Sequence, residues 1–152
     1  MVSPIPSRYP RVSPYLCVSD CHAAIQFYSK IFGFEERMRI PMPGGTIGHA
    51  ELALGDGVIM MSDEFPDMGV LGPKSVGGTP VTISIYVEDV DAVHRAALEA
   101  GANEMREPED QFHGDRSSKL EDPFGHVWSI ATRIEDVSPE EVAERAKKMF
   151  GG

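Results

Sequence analysis

The stretch Asp122-Pro123-Phe124-Gly125-His126-Val127-Trp128-Ser129-Ile130 decides how the chain is read. An acidic residue before a proline, then a glycine able to take positive φ, is turn chemistry. The apolar run after it alternates as a strand and carries the single tryptophan. An earlier stretch, Leu54-Gly55-Asp56-Gly57-Val58-Ile59-Met60-Met61, has the same order of glycine and apolar strand, with Gly57 and Gly125 standing 68 residues apart. That correspondence suggests an internal duplication.

Working outward, Val12 to Val18 alternates at period two and reads as a strand entered through Pro14. Asp20 is a good N-cap for a helix over Cys21 to Phe32, where Ala24, Ile25, Tyr28, Ile31 and Phe32 recur at helical spacing and Gly33 supplies the stop. Phe34 to Ile40 reads as a strand, and Ile47 to Leu54 with Val58 to Ser62 as a hairpin. The linker 64–78 shows no periodic pattern and is expected to be a loop. The order then recurs: a strand over Thr79 to Val87, a helix over Val90 to Ala100 capped by Asp89, and a short strand over Asn103 to Glu107. A loop over Pro108 to Gly114 leads to a closing hairpin, Asp115 to Leu120 with His126 to Thr132. Asp20 and Asp89 are 69 residues apart, and Gly33 and Gly101 are 68 apart. Two copies of a βαβββ unit follow, over residues 11–63 and 79–133. In the tail, 134–152, Ser138-Pro139-Glu140-Glu141 is a capping box, and Val142, Ala146 and Met149 or Phe150 form a stripe that needs a cover.

The chain has 152 residues, enough for one domain with a real core, and 14 basic against 24 acidic residues give a formal charge of −10. A surplus of negative charge repels nucleic acid and anionic membranes, so neither is an expected partner. No apolar run reaches the roughly 20 residues of a membrane span, and Met1 to Pro14 lacks a signal-peptide core, so a cytoplasmic protein is expected. Cys17 and Cys21 cannot by themselves make a four-sulfur metal site, and they read as reduced structural thiols. Neither Gly44-Gly45 nor Gly77-Gly78 opens a helix, so neither reads as a phosphate loop.

The two βαβββ units, the run Ala24 to Phe34 with its Ala, Phe-Tyr and Phe-Gly-Phe, and the Asp-Pro-x-Gly-His of Asp122 to His126 together resemble the vicinal oxygen chelate superfamily. This group holds glyoxalases, bleomycin-resistance proteins and extradiol dioxygenases. The segments His49-Ala50-Glu51-Leu52, Asp63-Glu64-Phe65-Pro66, Gly114-Asp115-Arg116 and Asp122 to Trp128 look like its PhnB-like branch. The resemblance implies an α+β fold: two tandem βαβββ modules forming a cup-shaped curled sheet with helices outside, followed by a C-terminal helix, in a single domain over 1–152. Alternation then sorts the faces. Val81, Ile83, Ile85, Val87, Leu52 and Leu54 should meet the helices. Tyr15, Cys17, His49, Glu51, Ala53, Ile59, Met61, Thr82, Ser84, Tyr86 and Ser129 should line the cavity.

Metal-using relatives carry ligands at places that correspond here to Ser13, Met61, Thr82 and Ser129. Hydroxyls and a thioether are poor ligands for a divalent cation, so no cofactor is expected at those positions. The expected function is binding of a small organic molecule, with Tyr15, His49, Glu51, Met61, Tyr86, His113 and Ser129 as the ligand-binding set, in a homodimer. Two alternatives stay open. One is a lyase or isomerase of the glyoxalase type, using a divalent metal relocated to His49, Glu51 and His113 or acid–base chemistry by His49 and Glu51. The other is a structural or interaction dimer. His22 and His94 are expected to face solvent, His126 to cap or orient its turn, and Asp115-Arg116 to form an ion pair, a loop anchor or a substrate clamp.

Overall fold

The computed structural model describes residues 1–151; Gly152, the last residue of the expected tail, lies outside them. The first unit, Met1–Thr79, contains β1 (Tyr15–Val18), α1 (Cys21–Phe27), β2 (Glu35–Pro41), β3 (Ile47–Leu54) and β4 (Gly57–Asp63). A short α2 (Pro73–Val76) follows. The second unit, Pro80–Gly152, contains β5 (Thr82–Tyr86), α3 (Val90–Glu99), β6 (Asn103–Asp110), β7 (Asp115–Glu121), β8 (Val127–Arg133) and α4 (Pro139–Phe150). The two sheets have the same topology, β1-β4-β3-β2 and β5-β8-β7-β6. In each, the first strand runs parallel to the last and the other pairs are antiparallel.

The repeat extends to individual hydrogen bonds. Asp20 accepts from Ala23 N at 3.1 Å and Asp89 from Ala92 N at 3.1 Å, each capping its helix. The buried Asp63 carboxylate takes the N–H of Cys21 at 2.8 Å, and Thr132 Oγ takes that of Val90 at 2.9 Å. These side chains at the ends of β4 and β8 satisfy helix N–H groups that have no partner within the helix. Past Phe27 the first helix continues as one π turn, Tyr28–Phe32, and ends on Gly33 at φ 87°, where a side chain would be strained.

One face of each sheet packs on its helix. In the first module Leu16, Val18, Ala50, Leu52, Ile59 and Met61 are buried there with Ala24, Ile25 and Tyr28. In the second, Ile85, Leu120, Trp128 and Ile130 are buried with Val90 and Ala97. The turn Asp122 to His126 is held by one carboxylate. Asp122, 1% exposed, accepts from Phe124 N, His126 N and Trp128 Nε1 at 2.8, 3.0 and 2.8 Å.

Several expectations need correction. The two modules were expected to build one cup-shaped curled sheet, but the strands form two separate open sheets. The reason is local: pairing of β1 with β4, and of β5 with β8, completes each ladder inside its own module. His94, expected at the surface, is 4% exposed, because α3 turns that position inward and Glu104 Oε2 meets its Nε2 at 2.8 Å. Pro108 to Gly114 is not all loop; β6 runs on to Asp110 through register shifts that absorb Pro108. The stretch 64–78 holds a 3₁₀ turn, Pro66–Met68, as well as α2. Val81, expected on the helix side, precedes β5 and is 59% exposed.

The tail is tied to the loop before β7. The Gly114 carbonyl accepts from Ile134 N and Glu135 N, and a Cβ at Gly114 would stand 2.5 Å from the Glu135 oxygen. Arg145 on α4 donates to the Phe112 carbonyl at 3.0 Å and pairs with Glu135, while the Phe150 ring meets Phe112 edge-on. Among the described residues no helix is long and apolar enough to cross a membrane.

Candidate functional site

On the face of each sheet turned away from its helix, strand register lines up one row of side chains. In the first module the row is Met38, Glu51, Met60 and Tyr15; in the second it is Arg106, Lys119, Ser129 and Ser84. Residues directly opposite one another on neighbouring strands share a face. The register also moves one expected site residue. Met61 pairs with Ala50 and Leu16, is fully buried, and lies on the helix side together with Ile59, which was likewise expected in the cavity; Met60 is the counterpart of Ser129. Gly57 and Gly125 suggest a 68-residue shift, and Glu51 and Lys119 keep it, but the second hairpin holds one residue more between its paired stations, so Met60 and Ser129 on the last strands match at 69. A slip of one residue reverses every side chain of a strand.

In the first module the polar groups of this face bond to one another. Tyr15 OH meets His49 Nδ1 at 2.8 Å, His49 Nε2 meets Glu51 Oε2 at 2.8 Å, and Tyr9 OH donates to Glu51 Oε1 at 2.8 Å. Arg37 lies 4.7 Å from the Tyr9 ring centroid and donates to the Arg8 carbonyl, which pins the N-terminal arm to the sheet. Burial opposes the charge on Glu51, but the hydrogen bonds from His49 and Tyr9 outweigh it and hold the carboxyl below its usual range. Both ring nitrogens of His49 are engaged, so in this arrangement neither faces a cation. A more open recess of about 560 Å³ lies where Ser7 to Pro10 cross Arg37, Ala53 and Val58.

The second module carries a recess of about 330 Å³, lined by Ser84, Tyr86, Arg106, His113, Asp115 and Ser129 among others. Tyr86 OH donates to Asp115 Oδ2 at 2.8 Å, and His113 Nδ1 stands 3.6 Å from the same oxygen. That hydrogen bond, with burial and the carboxylate charge, pushes the Tyr86 phenol up. Arg106 and Gln111 are wall residues that the sequence reading missed. Gln111 falls in the stretch 108–114 that reads as loop, and Arg106, though inside the expected strand Asn103 to Glu107, has no alternation there to assign it a face. Asp115 and Arg116 do not pair with each other: Arg116 clamps Asp91 and Asp110, on the opposite side of β7 from Asp115.

The expected metal positions, with Met60 replacing Met61, are Ser13, Met60, Thr82 and Ser129. Ser13 Oγ is buried with no hydrogen-bond partner, and Thr82 is exposed. Three neutral hydroxyls and a thioether do not fit a divalent cation. Among the described residues no three His, Cys, Asp or Glu side chains gather as a metal site. Burial pushes the Cys17 thiol up to about 11 and that of Cys21 to about 12, which keeps both protonated at neutral pH.

Comparison with known proteins agrees with this architecture. Residues 9–130 match the Glyoxalase/Bleomycin resistance protein/Dioxygenase superfamily, and the chain belongs to that family. The uncharacterized protein Rv0887c of Mycobacterium tuberculosis H37Rv is 43% identical over 136 residues, which cover 88% of this chain and 80% of that one. Among solved structures, TioX from Micromonospora sp. ML1 is 27% identical, covering 82% of this chain and 99% of its own, with a TM-score of 0.63. Protein PA1353 from Pseudomonas aeruginosa reaches a TM-score of 0.69 at 22% identity, covering 83% and 99%, and speaks for the fold alone.

Proposed function

We propose that this protein binds a small organic molecule in the recess of the second module, without a metal at the family's usual positions. The observation that carries the reading is the contrast between equivalent faces. Glu51 in the first module has its oxygens taken by His49 and Tyr9. The 560 Å³ recess of the first module is open at the N-terminal arm, whereas the second module has a more enclosed 330 Å³ recess walled by Tyr86, Asp115, His113, Ser84 and Ser129. That volume lies at the lower end of the roughly 300–1,000 Å³ of small-molecule sites. His49, Glu51 and Tyr15 then hold the first sheet's face together. The motifs around His49 and Asp122 support a place in the PhnB-like branch.

Melting curves across a panel of small metabolites and antibiotics test the reading, since a ligand that binds only the folded state raises the melting temperature. Stabilisation that is lost in Tyr86→Ala and Ser129→Leu, but kept in Tyr15→Phe, supports the second-module recess. Stabilisation unchanged in the first two variants puts the site elsewhere.

A second reading, acid–base catalysis, is favoured by the relay from Tyr15 through His49 to Glu51, in which Glu51 orients the imidazole and Tyr15 is 53% exposed. Its test is conversion of a bound panel compound that stops in His49→Gln while binding persists. The homodimer belongs to the proposal too, supported by the apolar end of α4, where Met149 and Phe150 are 62% and 74% exposed. Truncation after Glu135 should halve the mass measured by sedimentation; an unchanged mass removes α4 from the interface.

A further inference from the structure

We infer that the ligand of the second-module recess is an organic oxyanion, seated by Arg106 with Lys119 beside it; the inference rests on the recess being the binding site. The chain carries a formal charge of −10, yet this row places Arg106 directly opposite Lys119, next to Ser129 and Ser84. The equivalent stations of the first module hold Met38 and Glu51. The ladder is thus repeated, but where the first module has an apolar and an acidic station the second has two basic ones.

The hydrogen bonding of Arg106 points the same way. Its Nη2 donates to Ser117 Oγ at 2.8 Å, which fixes the plane of the guanidinium against β7. Its Nε is buried and has no hydrogen-bond partner. A buried N–H without an acceptor is costly, and a turn of the half-exposed guanidinium toward an oxyanion in the recess would supply one. The nearest carboxylate is Glu109 Oε1, 3.7 Å from Nε, too far for a hydrogen bond, on a side chain that is 56% exposed. An ion pair that open to water contributes little and is readily exchanged. The other charged groups on this face are Asp115 and Arg133, opposite each other, and Glu121 two residues beyond Lys119. Asp115, already accepting from Tyr86, disfavours a second negative group at its end of the recess and suits a hydroxyl or amino donor there. The ligand class is therefore a small molecule with a carboxylate or phosphate at one end and a donor at the other. A planar fork matches either oxyanion.

The test uses the full chain and matched probes: benzoate, 4-hydroxybenzoate and phenyl phosphate against the neutral benzamide and 4-hydroxybenzamide. Binding is followed by NMR at the Arg106 Nε–H and at the backbone amides of Tyr86 and Ser129. The expected result is that the anions shift these signals, weaken with added salt, and bind about ten- to hundred-fold less tightly to Arg106→Met. Arg106→Lys should recover part of the affinity, which separates loss of charge from loss of folding. The relative affinities of the carboxylates and phenyl phosphate tell which oxyanion the site prefers. Amides that bind as tightly as the acids at the same signals would overturn the oxyanion while leaving the recess as the site. Shifts from none of the five would overturn the recess reading and the oxyanion with it.

Discussion

Glu51 in the first module and Lys119 in the second occupy the same station of a repeated ladder, one opposite Met60 and the other opposite Ser129. A carboxylate and an ammonium at equivalent positions give the two sheet faces opposite chemistry on one backbone plan. The first face is closed by its own hydrogen bonds from Tyr9 and His49, whereas the second holds a cation pair beside a recess.

The register predicts opposite results at adjacent methionines. Met61 is fully buried against the helix, and Met61→Ala should cost about 2–5 kcal/mol in urea unfolding. Met60 is only partly buried on the other face, and Met60→Ala should cost much less. Equal costs would contradict the pairing of Glu51 with Met60.

Asp122 holds three N–H groups in a buried turn. Replacing it with Ala should destabilise the protein by about 3 kcal/mol or more, because each donor left without a partner carries a desolvation cost. In Asp122→Asn one oxygen remains for the backbone, and the loss should concentrate on the Trp128 indole. Denaturant midpoints and tryptophan emission measure the two effects.

Glu51 gives a pH prediction with a definite sign. Its folded-state pKa lies below the unfolded value of about 4.3, so its contribution to stability is present above that pH and is lost as pH falls through the folded value. In Glu51→Gln this contribution is missing at neutral pH, and stability should fall less steeply on acidification. Urea midpoints followed from pH 7 downward would show a shallower acid limb than in the native sequence.

Tyr86 has the opposite sign. Its phenol is raised by the hydrogen bond to Asp115, by burial and by the carboxylate charge, so its contribution is present below about pH 10 and is lost as pH rises through the folded value. In Asp115→Asn one phenolate component of the ultraviolet titration should move to lower pH. That component should be absent in Tyr86→Phe.

Much of the fold is legible from local chemistry. Asp20 and Asp89 announce their helices because a short side-chain oxygen satisfies N–H groups at a helix start, and the structure places both where that requires. The hairpin Ile47 to Leu54 with Gly57 follows from turn residues between apolar strands. The site is less legible. Period-two alternation sorts Tyr86 and Ser129 onto one face, but it cannot say which partner strand lies beside them. Arg106 lies in the expected strand Asn103 to Glu107, but the register shifts on either side of it, which set its face, leave no mark in the alternation. Met61 was placed one residue off because a glycine in a turn marks sequence, not strand register.

What the amino-acid sequence determined by itself was the order of elements, their caps and turns, and the duplication, all set by interactions within a few residues. Tertiary structure alone decided the rest. The cup expected from resemblance gave way to two open sheets because each ladder is satisfied inside its own module. His94 went inward because it found Glu104. Tyr9, 42 residues from Glu51, closed one face, and the pairing of Arg106 with Lys119 across β6 and β7 charged the other. Such contacts depend on strand register, which long-range hydrogen bonding sets and which one added residue in a turn can reverse.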